Sequence, residues 1–228
     1  MPDYQDIIGF LQPLNGTPGA YLLLLSAAAL LIARDWRASL MALTLEYLLA
    51  GPLFGAVLEP RLALSKLLVG LFVCLILYIT ARQVHWGRLP EDVSADEAVQ
   101  WRQERLLRLG PALLATGGPF RVFLTLALIL VVWALSNRPE LQLPGVPDHF
   151  QLAILGLGSL GLVTLSLTSE PLRAGMGLLT FLLAFELLYA ALEPSVALMA
   201  FLALGNLAVA LVVAYLTQSR HAFTALLD

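Results

Sequence analysis

Apolar runs long enough to cross a bilayer recur along this chain, near residues 16–33, 37–58, 61–82, 112–136, 149–168, 171–192 and 194–217. A hydrocarbon core roughly 30 Å thick takes about 20 residues of helix to span. The expected fold is therefore an all-α integral membrane bundle of about seven transmembrane helices. Composition agrees, since 59% of the 228 residues are hydrophobic and 13% charged, with a mean hydropathy of +0.84, far from soluble averages. "LEPR" separates the second and third runs and "LEPS" the sixth and seventh. Proline suits a first helical turn and cannot continue the preceding helix, so both are read as tight hairpins.

The basic residues orient these helices. Arg34, Arg37, Arg82, Arg88, Arg102, Arg105, Arg108, Arg121, Arg173 and Arg220 fall on one side of the map, and Arg61 and Arg138 on the other. The positive-inside rule makes the crowded side cytoplasmic, in an inner or cytoplasmic membrane, with the N-terminus outside and the C-terminus inside. The first twenty residues hold two acids and no Lys or Arg, unlike a signal peptide, so the first span is expected to be retained. The expected organisation is an extracytoplasmic segment over 1–15, three helices over 16–82, a cytoplasmic loop over 83–111, a linking helix over 112–136, three helices over 149–217, and a cytoplasmic tail over 218–228. Within the loop, "SADEAVQWRQERLLRL" has Ser94 as an N-cap, acids first and arginines last, the signature of a short amphipathic surface helix.

Aligning the two "LEP" turns superposes the second and third helices on the sixth and seventh at an offset of 134 residues. The match is either a duplication or the shared composition of Leu-rich helices. A duplication gives two parallel three-helix repeats joined by a central helix, a transporter-like layout.

Inside the spans stand three ionisable residues of note: Glu46, Lys66 and Glu186. Counted along the helices, Glu46 lies near mid-membrane, while Lys66 and Glu186 share a level near the outer end. Buried charges are costly and mark either ion pathways or specific pairing. These residues are thus candidates for a proton path, an ion pair that fixes helix packing, or groups facing another subunit. Glu59 and Glu193, at the hairpin turns, are secondary candidates read as interfacial. Asn206, beside Gly205, is a secondary candidate read as a close-packed interhelical contact. The small residues of "GLGSLG" at 156–161 serve helix approach, not dinucleotide binding, since no strand precedes them. His85, His149 and His221 are far apart and Cys74 stands alone, so no metal or cofactor site is expected in this chain. With no nucleophile beside a base and no phosphate loop, no enzyme activity is expected from it alone, and nothing suggests nucleic acid.

"LIARDWRASLMALTLEYLLAG" with "LSKLLVGLFVCLILYITARQ" resembles the first half of the membrane component E family of hydrogenase-4, and "TSEPLRAGMGLLTFLLAFELLYAALEP" through "AYLTQSRHAFTALLD" resembles its NuoK-like part. The resemblance implies a non-catalytic subunit of a complex I-like or membrane-bound hydrogenase-like assembly, surrounded by lipid and by antiporter-like subunits. It also implies that Arg37 and Arg173 cap the cytoplasmic starts of equivalent helices and that Glu46, Lys66 and a second-repeat glutamate form a charged axis. The spacing departs from this pattern, because Arg37 to Glu46 is nine residues and Arg173 to Glu186 is thirteen. The alternatives are a free-standing small-solute transporter with parallel three-helix repeats, similar to the sugar-transporting SWEET layout, and a purely structural assembly subunit.

Overall fold

Seven α-helices and no strand make up the described residues of the computed structural model, which are 15–33, 35–84, 118–143, 145–168, 170–193 and 195–224. The helices are α1 (Thr17–Ile32), α2 (Trp36–Val57), α3 (Pro60–Gln83), α4 (Gly118–Ser136), α5 (Asp148–Ser166), α6 (Pro171–Leu192) and α7 (Val196–Thr224). A 3-10 turn at Pro139–Leu141 stands between α4 and α5. Prolines in the first turn start α1, α3 and α6. Asp35 caps α2, its carboxylate accepting from the Arg37 backbone N–H at 3.4 Å.

Two expected boundaries need correction. α1 covers Thr17–Ile32 where 16–33 was expected; its 16 residues, about 24 Å at 1.5 Å per residue, make it the shortest of the seven helices. The backbone turns extended at Ala33, just ahead of the Asp35 cap. Six helices, α2 to α7, are long and apolar enough to cross a membrane. At the other end α7 runs to Thr224, so residues 218–224 are helix rather than tail. No Gly or Pro stands between Leu216 and Thr224 to stop it. The expected amphipathic helix at 94–109 and the start of the linking span at 112–117 lie outside the described residues, as does Arg34.

One cleft fixes the sense of the helices. It is lined by Leu30 and Leu31 from the end of α1, Ser39 from the start of α2, Arg121 from the start of α4, Thr164 and Thr168 at the end of α5, and Arg173 and Met176 from the start of α6. α1 and α5 therefore end where α2, α4 and α6 begin. The short α2–α3 and α6–α7 turns return α3 and α7 to this same end, where the Gln218 side-chain amide donates to Gln83 Oε1 at 3.0 Å. The two three-helix units thus run in parallel. Repeat-equivalent helices pack against each other: α1 on α5, α2 on α6 and α3 on α7. This end also gathers Arg37, Arg82, Arg121, Arg173 and Arg220, with Arg61 and Arg138 at the opposite one.

The most extensive contact joins α5 to α6, and glycine makes it. A Cβ on Gly161 would stand 2.7 Å from the Phe181 backbone nitrogen and 2.9 Å from the Gly177 carbonyl oxygen; one on Gly177 would stand 2.7 Å from the Leu165 nitrogen. Only glycine lets the backbones approach so closely. α4 is the least embedded helix, with Thr125, Val132 and Ser136 its buried residues.

Candidate functional site

Most hydroxyls in the bundle close on their own helix. Ser26, Thr44, Thr80, Thr125, Thr164 and Thr217 each donate to a carbonyl three or four residues earlier, at 2.7 to 2.8 Å, which gives each hydroxyl proton a local acceptor. Glu46, Lys66 and Glu186 have no such local solution. They must find partners across helices.

Lys66 and Glu186 find each other. The Lys66 ammonium lies 2.5 Å from Glu186 Oε1, joining α3 to α6, and both side chains are buried. The local reason is counting. Lys66 is six residues into α3 from Pro60 and Glu186 six residues short of the α6 terminus at Leu192, which sets both about 9 Å inside the bundle. Asn206 on α7 adds a third contact, its amide donating to the same Glu186 oxygen at 3.2 Å. Three helices are thereby tied at one carboxylate.

Glu46 is more deeply enclosed, with no exposed surface at all. Its Oε2 accepts from the Thr180 hydroxyl of α6 at 2.8 Å, and its Oε1 has no partner among the described residues. Residues 46 and 180 are separated by 134, the repeat offset, so equivalent positions of the two repeats touch. Thr180 and Glu186 are six residues apart on α6, about 9 Å along the axis. Met176 lies one turn from Thr180 on the other side and lines the arginine cleft. Polar groups are thus stacked from the cleft through Thr180 and Glu46 to Glu186, Lys66 and Asn206.

Tyr47 was not anticipated from the sequence. It is 4% exposed, its hydroxyl has no partner among the described residues, and it lies within electrostatic range of both Glu46 and Glu186. Its ring rests on Gly70, where a Cβ would meet Tyr47 Cδ1 at 2.4 Å. A Glu-Tyr pair in an apolar run was the available signal.

The remaining candidates separate from this cluster. Glu59 and Glu193 are exposed at the hairpin turns. Gly205 does not mediate the expected close approach, since a Cβ there would meet nothing within 4 Å; α7 turns its Asn206 side to the bundle and its Gly205 side away. "GLGSLG" does mediate one, at Gly161 against α6 and at Gly156, which packs on Leu24 of α1. Arg37 and Arg173 are not equivalent. Arg37 is exposed and stacks over the Trp36 ring at 5.4 Å, whereas Arg173 is half-buried in the cleft facing Ser39, the residue that stands 134 positions before it.

Fold and site together define a class: a membrane-embedded, all-helical protein with a charged Lys–Glu pair inside its bundle. Comparisons with family models, with curated proteins and with solved structures find no match to this chain.

Proposed function

We propose that the chain is a non-catalytic membrane subunit of a complex I-like or membrane-bound hydrogenase-like oxidoreductase, in which Glu46, Lys66 and Glu186 carry protons and couple redox energy to their movement. The observation that carries this reading is the buried Lys66–Glu186 contact, set about 9 Å along α6 from the level of Glu46. Intramembrane ionisable residues are expensive and mark ion pathways. The proton affinity of Glu186 depends on whether Lys66 stands beside it, so a shift of α3 against α6 switches this carboxylate between holding and releasing a proton. Glu46, held by Thr180 on one oxygen only, is the next station toward the cleft. The cleft, with a volume of about 10 Å³ and hydroxyls among its lining residues, has roughly the room one water needs. The arginine-rich end is the cytoplasmic one under the positive-inside rule, which sets the N-terminus outside and the C-terminus inside an inner or cytoplasmic membrane. Antiporter-like membrane subunits and lipid are the proposed neighbours, and no cofactor is assigned to this chain.

The reading is tested in proteoliposomes holding the intact redox assembly. Glu46→Gln and Glu186→Gln should leave the complex assembled and its uncoupled electron transfer intact, and lower the protons moved per electron, Glu46→Gln the more severely. Unchanged pumping in both variants would leave the glutamates a structural role alone. Purification of the chain by itself with solute transport activity would instead support a free-standing transporter.

A further inference from the structure

Two oxygens on consecutive residues of α2, the Tyr47 hydroxyl and Glu46 Oε1, are buried and have no hydrogen-bond partner among the described residues. Buried polar atoms are nearly always satisfied, by protein or by ordered water. Their position is specific. Gly70 leaves room for the Tyr47 ring, since a Cβ there would stand 2.4 and 2.5 Å from its Cδ1 and Cγ and 2.9 Å from the Tyr47 Cβ. Gly70 is also one turn from Lys66 on the same face of α3, because residues four apart share a helix face. The phenol ring is thereby seated on α3 one turn from Lys66, and its hydroxyl lies within electrostatic range of Glu186, Cys74 and Glu46. A tyrosine hydroxyl both donates and accepts, which a relay requires and which the nearby Cys74 thiol does only weakly.

We propose that the Tyr47 hydroxyl is the relay between Glu46 and the Lys66–Glu186 pair, and that with the free Glu46 oxygen it holds a buried water through which the proton passes. This rests on the proton-path reading above. In the step, the Glu46 carboxyl gives its proton to the water, and a water proton moves to the phenol oxygen. The phenol's original proton passes through a second water to the Glu186 carboxylate, since no direct hydrogen bond joins the two. Four O–H bonds break and four form, one proton advances, and Tyr47 is unchanged once its hydroxyl rotates back. No oxidant or reductant takes part. Gly70 acts as a positioning residue, since it seats the ring.

Tyr47→Phe keeps the ring on Gly70 and removes only the hydroxyl. In the intact assembly it should lower the proton-transfer rate about tenfold or more, with the melting temperature and uncoupled electron transfer as in the unmodified protein. If Tyr47→Phe pumps normally while Glu46→Gln and Glu186→Gln do not, the relay is wrong and the path reading stands. If all three pump normally, the path reading itself falls. Should Tyr47→Phe fail to assemble, 3-fluorotyrosine at position 47 supplies the second probe, because it keeps the shape and makes the phenol more acidic. A displaced pH profile of proton transfer supports the relay, and an unmoved profile overturns it.

Discussion

The two three-helix units run in parallel, and at positions 134 apart the polar side chains of the buried cluster are not repeated. Glu46 of the first repeat stands where the second has Thr180; Lys66 corresponds to Ala200, Glu186 to Pro52, and Asn206 to Phe72. Tyr47 corresponds to Phe181, the same ring without its hydroxyl. Each costly side chain is thus supplied once, and its counterpart is neutral or apolar. Packing diverges too: the glycine pair Gly161 and Gly177 that brings α5 against α6 is replaced at the equivalent positions by Ala27 and Leu43. The backbone specifies a place for a contact twice. Side chains then decide which copy is polar and which is tightly packed.

This division is open to attack by substitution, beginning where the largest effect is expected. Lys66→Met removes one partner of a buried pair and should cost about 3 kcal/mol or more of stability. Combining it with Glu186→Gln should recover part of that loss, a coupling read from thermal unfolding of the purified protein in detergent. Purely additive losses would remove the pair as an energetic unit. Next, Gly161→Ala forces a methyl onto the α6 backbone and should cost about 2 kcal/mol in the same assay. The first repeat has no such constraint at Ala27, so an α5–α6 interface that accepts Gly161→Ala without loss would contradict the asymmetry in packing.

Smaller effects sharpen the same contrast. Asn206→Leu deletes one interhelical hydrogen bond to Glu186, which keeps its lysine, and should cost only about 0.6 kcal/mol. Gly205→Ala, one residue away, points into open space and should leave the melting temperature unchanged. A large loss there in the purified chain would mean that α7 packs on a different face from the one described.

Much of the fold was legible because helix length and turn chemistry are local properties. The apolar runs and the two LEP hairpins set helix number and the relative direction of the paired helices, and counting inward from the hairpins set Lys66 and Glu186 at one level. Rotation about the helix axis is not local, and the misreadings follow from it. A glycine beside Asn206 looked like a contact, yet the neighbouring helices stand on the asparagine side alone. Tyr47 was not singled out, because nothing near it in sequence reveals that Gly70, twenty-three positions later, opens a seat for its ring. The Glu46–Thr180 bond was present in the offset of 134 all along, though an alignment pairs positions without saying that they touch. α1, expected over 16–33, is helical over Thr17–Ile32, since the charged Arg34 and Asp35 follow its apolar run directly.

That same bond supplies the sharpest test of whether a carboxylate at this place in the membrane moves protons. Since residues 46 and 180 touch, the glutamate can be supplied from either helix. On the proposed proton path, Glu46→Thr alone should abolish most proton pumping per electron in proteoliposomes of the proposed redox assembly. Adding Thr180→Glu returns a carboxylate to the same place from α6 and should restore pumping to a large part of its original ratio. Pumping that survives Glu46→Thr, or a double variant that folds and assembles yet pumps no better than the single one, would contradict a proton station between the two repeats.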